Sequence, residues 1–230
     1  MKKLLTIVLG TFLFTTAKSQ VYIQGGANLA NITTSNSGAT QKNNLLTTFN
    51  AGVMYRSNRN EPIALEAGLL LEGRGSKSDN YITSSTDDNY IKTKFNPLYL
   101  ELPVNFILRL PLQGKSNIFI NAGPYVAMGI GGKSSVETKF LGAVTNSTSN
   151  IQFNNDDPTT SEQEGARYDR LKRFDYGLNL GAGVDFKKVL VKVNYGYGLA
   201  KINSTQTDNS SNDKNKYRTV SISLGIPLNP

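Results

Sequence analysis

The chain has 230 residues, with 25 Lys+Arg against 17 Asp+Glu and no cysteine, histidine or tryptophan. Without cysteine there is no disulfide framework and no thiolate metal site. Without histidine the commonest general base and metal ligand are missing, and a Ser-His triad cannot be built. The formal charge of +8 falls to +5, 22 basic against 17 acidic residues, if Lys2, Lys3 and Lys18 leave with a leader. Such a mild excess fits a solvated surface or anionic lipid head groups and argues against a nucleic-acid partner.

Met1-Lys2-Lys3 is a basic start, Leu4 to Phe14 is an apolar run, and Ala17-Lys18-Ser19 is a small-x-small site before Gln20. That order reads as a signal peptide over 1–19 and leaves 20–230 as one exported domain. The apolar run is too short for the roughly 20 residues of a spanning helix.

From Gln20 onward apolar residues recur at every second position, the period of a β-strand. The first strand, Val21 to Ile32, sets Val21, Ile23, Ala27 and Leu29 against Tyr22, Gln24 and Asn28. Leu45 to Arg56 and then Ile63 to Arg74 follow the same rule, with Glu66, Glu72 and Arg74 on the polar side. The longest strand, Tyr90 to Leu110, sets Leu98 through Leu110 against Tyr99, Glu101, Asn105 and Arg109. Pro103 and, in the next strand, Pro124 each remove a ladder donor and predict a bulge or local break. That next strand places Ile118, Ile120, Ala122, Val126, Met128 and Ile130 opposite Asn121, Gly123, Tyr125 and Gly129.

The clearest pattern spans Phe174 to Ile202. Its two arms alternate around Lys187-Lys188, which as a two-residue connection pairs Phe186 with Val189, Val184 with Val191 and Ala182 with Val193. In that register Lys192 lies opposite Gly183 and diagonal to Asp185. Arms of about twelve residues exceed ordinary soluble strands and suit a tilted bilayer crossing. The last strand runs from Tyr217 to Leu228.

These are eight strands. The connections alternate between long and short, so up-and-down order gathers loops 33–44, 76–89, 132–171 and 203–215 at one end and three short turns at the other. This is the layout of a transmembrane antiparallel β-barrel, with short periplasmic turns, long external loops and both termini periplasmic. Val136 to Val144 and Ile151 to Phe153 suggest an extra hairpin, projecting outward or extending the barrel to ten strands. Phe95, Tyr99, Phe174, Tyr176 and Tyr217 toward the loop end, with Tyr55 and Phe186 toward the turn end, are expected as aromatic girdles. A soluble lipocalin-like barrel shares the topology with its apolar face inward. The uncharged, uninterrupted apolar face and the small, glycine-rich polar face favour the membrane arrangement.

The segments QGGANLANI, EAGLLLEGRG, FNPLYLELPVNFILRL, INAGPYVAMGIGG, FDYGLNLGAGVDF and VKVNYGYGLAKI resemble the PorT-like outer-membrane β-barrel family of the Bacteroidota, over essentially the whole mature chain. The resemblance implies an eight-stranded barrel in the outer membrane, with no shared enzymatic site. It also allows an accessory role in secretion or envelope assembly. The chain departs from such barrels in finishing Ile226-Pro227-Leu228-Asn229-Pro230 where an aromatic residue is usual.

Two sets of residues are candidates for function. Arg56, Glu66, Glu72, Arg74, Glu101, Arg109, Asp175, Asp185 and Lys192 fall on the polar face and read as a salt-bridged lumen plug, since buried charges need partners and eight strands enclose only side chains. Lys92, Lys94, Lys133, Arg170, Lys172, Arg173, Lys201, Lys216 and Arg218 fall near the loop end and are expected to form a rim for lipid phosphates such as those of lipopolysaccharide. No cofactor or metal site is expected: Asp87-Asp88 and Asp156-Asp157 lack the other oxygen ligands of a calcium loop and read as solvated turns. The expected protein is a non-enzymatic scaffold that meets envelope partners through its loops; a passive channel is the alternative.

Overall fold

A computed structural model describes residues 19–36, 39–42, 44–57, 61–81, 89–112, 116–154, 170–186, 188–202 and 215–228. Residues 1–18 of the signal peptide expected over 1–19, the centres of three long loops, and Asp87-Asp88 and Asp156-Asp157 lie outside them. Thirteen strands are present among the described residues: β1 (Gln20–Asn36), β2 (Ala39–Lys42), β3 (Leu46–Arg56), β4 (Ile63–Gly73), β5 (Ser76–Tyr81), β6 (Tyr90–Pro111), β7 (Asn117–Phe140), β8 (Ala143–Asn150), β9 (Gln152–Asn154), β10 (Arg170–Lys172), β11 (Phe174–Asp185), β12 (Leu190–Gly198) and β13 (Lys216–Pro227).

Eight of them close into a ring in the order β6-β4-β3-β1-β13-β12-β11-β7, and β7 pairs back onto β6. Closure leaves no sheet edge in the ring, the condition for a β-structure to cross lipid. The hairpin around Lys188 has the expected register, with Val184 opposite Val191, Ala182 opposite Val193 and Phe186 N–H bonded to Val189 O at 2.9 Å.

Strand alternation sorts side chains by chemistry. Ile23, Phe49, Val53, Leu69, Phe106, Ile120, Leu180, Val193, Ile222 and Leu224 point outward and are exposed, Phe106 to 65% and Leu180 to 63%. Gln24, Asn28, Asn50, Arg56, Glu66, Glu101, Asn121, Asp175 and Lys192 point inward and are buried. A water-soluble fold does the reverse, because contiguous apolar surface of this extent is unfavourable in water. The lipocalin-like arrangement is therefore overturned: the greasy face is the outside.

The long loops are less loop-like than their composition suggests. β6 and β7 stay paired beyond the ring, from Tyr90 opposite Lys139 to Pro97 opposite Gly132. β5 adds to the outer half of β6, and β8 turns back along β7 through Leu141-Gly142. The projecting hairpin is thus part of a four-stranded extension, β5-β6-β7-β8, standing on an eight-stranded ring. β2 folds back on the end of β1 in the same way.

The prolines do not shift register. Pro103 pairs with Tyr125 and Phe106 with Ala122, the same offset on either side of a two-residue lapse in pairing. Each proline costs a ladder bond without adding a residue. The register shift falls instead between Leu98 and Tyr99, whose partners Gly131 and Gly129 leave Ile130 as the extra residue.

Candidate functional site

The lumen is filled in layers. Nearest the short turns, Glu66 of β4 is the centre of a wholly buried cluster. Its Oε2 accepts from Arg56 Nε at 3.0 Å, Arg56 Nη2 at 2.5 Å and the Tyr22 hydroxyl at 2.6 Å. Its Oε1 accepts from Lys192 Nζ at 2.7 Å and Asn105 Nδ2 at 3.3 Å. Asp185 lies 3.8 Å from Arg56 Nη1, and the guanidinium sits over the Phe119 ring at 4.5 Å. The expected diagonal partner of Lys192 was Asp185. Its ion pair is instead with Glu66 across the barrel, because ring closure brings β4 and β12 face to face while register alone describes only neighbours.

Above this lies an amide layer. Asn50 donates to Asn28 Oδ1 at 2.6 Å, Ser223 donates to Asn50 Oδ1 at 2.9 Å, and Asn121 donates to Asn194 Oδ1 at 3.0 Å. Toward the loop end, Arg74 pairs with Glu101 and Asp175 and reaches Glu72 at 3.4 Å. Tyr125 donates to Asp175 at 3.0 Å, and Asn179 donates to Glu101 at 2.9 Å. The void beside Glu72, Arg74 and Glu101 measures about 10 Å³, close to the space of a single water. Glu101 and Arg109, separated by eight positions along β6, are not brought together: Arg109 donates to Glu61 O at 3.1 Å at the turn end.

An apolar cap closes the loop end. Tyr99, Tyr125, Tyr217, Ile32, Ala127, Ile151, Leu171 and Ile202 are buried together, with Phe95 and Phe153 packed against them. Tyr99 and Tyr217 stack edge-to-face with ring centroids 5.5 Å apart, and Phe153 meets Tyr99 at the same separation. β9 and β10, paired in parallel, carry Phe153 and Leu171 to this position. Gly129 provides the space, since a Cβ there would collide with the Phe153 ring. Tyr99, Tyr217 and Phe95 therefore leave the expected outer girdle: strand parity turns the two tyrosines inward. Phe174, Tyr176, Tyr55 and Phe186 remain on the outer side.

The expected basic rim is divided. Lys172 is 2% exposed and thus inside the wall, correcting its placement on a lipid-facing rim. Arg218 donates to Gly198 O at 2.8 Å and Tyr217 O at 2.7 Å, and stacks on Tyr197 at 3.7 Å. Lys92 lies over the Tyr90 ring at 4.1 Å. Arg173, Lys201 and Lys216 are half-buried, while Lys94 and Lys133 are exposed. The side chain of Arg170 lies outside the described residues. Sequence reasoning missed Tyr22, Tyr125 and the lumen asparagines as partners of the charges, although they share the parity of those charges and could have been read from it.

A sequence model described as an outer membrane protein beta-barrel domain matches residues 15–204. The chain belongs to the outer membrane protein beta-barrel domain family. Membership agrees with the inverted ring and places the protein in the outer membrane of a Gram-negative bacterium. No curated protein matches the sequence. Among solved structures the chain is similar to Ail, the attachment invasion locus protein of Yersinia pestis, at 12% identity and TM-score 0.40 over 92% of this chain and 99% of that one. It is similar to OprG from Pseudomonas aeruginosa at 11% identity and TM-score 0.41, over 93% and 97%. It is also similar to Neisserial surface protein A at 11% identity and TM-score 0.39, over 90% and 97%.

Proposed function

We propose that this member of the family is a closed, non-enzymatic scaffold that holds its loop-end surface outside the cell, with both termini in the periplasm. The observation that carries this reading is the stacked lumen: Glu66 with Arg56 and Lys192, the amide layer, Arg74 with its carboxylates, and the Tyr99–Tyr217 cap. Opening a path would require breaking buried ion pairs, each break costing about 3–5 kcal/mol. The lumen carboxylates are engaged by cations, amides and phenols, which favours a packing role for them over chemistry on a substrate.

The PorT-like resemblance supports a narrower role, as an accessory to secretion or envelope assembly. Its partners are other envelope proteins, met through segments 33–44, 76–89, 132–171 and 203–215, and outer-leaflet lipid at the basic residues. Planar-bilayer recording of the purified protein tests the scaffold reading. A silent bilayer is expected, and a sustained ion-selective conductance would replace the scaffold with a passive channel. Crosslinking from the loops in intact outer membrane, followed by partner identification, tests the accessory role; recovery of lipid alone would overturn it.

A further inference from the structure

The four-stranded extension has an outward face set by strand parity. On β6 the odd residues Tyr99, Glu101 and Asn105 enter the lumen, so Tyr90, Lys92 and Lys94 face away from it. On β7 the extra residue Ile130 inverts parity: Ala127 and Gly129 are inside, but Gly131, Lys133, Ser135, Glu137 and Lys139 share the outward face with Lys94. Register then places Lys77 and Asp79 of β5 on that face, opposite Lys94 and Lys92.

The charges on this face are unevenly spread. Further from the ring, Lys92 has a carboxylate on each side, Asp79 in one neighbour and Glu137 in the other. Nearer the ring, Lys77 and Lys94 are directly opposite one another, and Lys133 is diagonal to Lys94. Directly opposed like charges disfavour a sheet. All three lysines are exposed, and every ion pair within 4 Å among the described residues lies in the lumen. Asp79 and Glu137 are diagonal to Lys94 but in direct register with Lys92, so five lysines face two carboxylates over the whole patch. Beside the trio, Ser135 and Thr148 exchange a hydroxyl bond of 3.2 Å, adding neutral donors. A shallow cavity of about 350 Å³ runs between Lys77, Lys94, Ser135 and Thr148, with Asp79, Lys92 and Glu137 lining its far side and Lys133 just outside its lining toward the ring. Immediately toward the ring on the same outer side are Ile130 and Met128, exposed apolar residues of the lipid-facing wall.

We propose that Lys77, Lys94 and Lys133 form a binding site for the phosphate of an outer-leaflet lipid head group. A lipid packed against Ile130 and Met128 brings its head group to this height, where three ammonium groups and two hydroxyls supply charge-assisted and neutral hydrogen bonds. Lys77 was no part of the expected rim, and Lys172 is excluded from the site by its burial.

The inference rests on the loop end facing outward but not on the closed lumen, so a conducting barrel would leave it standing. Orientation is checked separately. The chain has no cysteine, so Ser147→Cys gives a single label site for a membrane-impermeant maleimide on intact cells. The binding test uses full-length protein in detergent, titrated with phosphorylated lipid A and with the same lipid after enzymatic dephosphorylation, read by native mass spectrometry. Wild type is expected to prefer the phosphorylated lipid at least ten-fold. Lys77→Gln/Lys94→Gln/Lys133→Gln abolishes that preference, while Lys94→Arg and the control Lys188→Gln, at the opposite short-turn end, retain it. Heat-modifiable gel mobility reports whether each variant is folded. Equal preference in the triple variant and wild type, or displacement of the lipid by millimolar inorganic phosphate alone, would overturn the assignment.

Discussion

Lys192 Nζ lies 2.7 Å from Glu66 Oε1, across a separation of 126 residues. The two strands that carry them, β12 and β4, are four places apart in either direction around the eight-stranded ring. The pair therefore spans a diameter of the barrel and ties its two halves together at the level of Arg56.

Glu66 neutralises two buried cations, so its loss is expected to be worse than the loss of either. Glu66→Leu leaves Arg56 and Lys192 without their shared carboxylate and should cost about 3–5 kcal/mol. Lys192→Met keeps the Arg56–Glu66 pair and should cost less. Urea unfolding in liposomes measures both, and equal losses would show that Lys192 dominates the cluster.

Gly123 faces the lumen beside the lapse in β6–β7 pairing that follows Pro103. A Cβ there would collide with the backbone carbonyl of Val104, whereas one on Gly25 meets nothing nearer than Asn50 O at 3.9 Å. Gly123→Ala is expected to lower stability by about 1–3 kcal/mol through overpacking. Gly25→Ala is expected to be close to neutral. The same unfolding assay separates them, and similar behaviour would mean that the β6–β7 spacing is compliant.

Leu180 sits midway along β11 with its side chain outward and 63% exposed. At the bilayer midplane an arginine there is expected to cost about 2–4 kcal/mol. Val144, equally apolar but on the extension beyond the ring, should accept arginine with little change. A small cost at Leu180 would place the membrane elsewhere on the barrel.

Tyr99 and Tyr217 join opposite walls of the barrel through an edge-to-face contact and a 3.3 Å hydroxyl bond. Tyr99→Phe should lose only the hydroxyl's contacts, this bond and a longer one of 3.5 Å to Lys172 O, about 0.5–1.5 kcal/mol. Tyr99→Ala removes the ring from the cap and should cost about 3–5 kcal/mol. A conductance appearing only in Tyr99→Ala would identify the cap as the layer that seals the lumen.

The strand pattern makes much of this barrel legible in the sequence. The register around Lys188, the number of ring strands and the greasy face followed from a period of two and from loop lengths. Partners across the lumen did not, because Lys192 meets Glu66 only once the ring is closed, and closure leaves no mark on neighbouring register. Of the extension, only the projecting hairpin around Val136 to Val144 was legible, and its full extent was not, for a different reason. SKSDNY of β5 and TNSTSN, the part of β8 after Ala143-Val144, are almost wholly polar and carry no apolar alternation to find. Lys172 was misplaced because its short strand folds inward with Leu171, whereas charge and chain position alone suggested the rim.

The seam between β1 and β13 has a consequence in time. Every other contact in the ring joins strands whose intervening chain is modest, but this one pairs Tyr22 with Pro227 and Thr33 with Lys216. Long-range pairing of this kind is slow to form. Until it forms, both strands are unpaired edges that hydrocarbon cannot satisfy. A partly assembled chain therefore has no stable resting place in the bilayer. Insertion and closure must be completed together, with the first strand held in reserve until the last arrives.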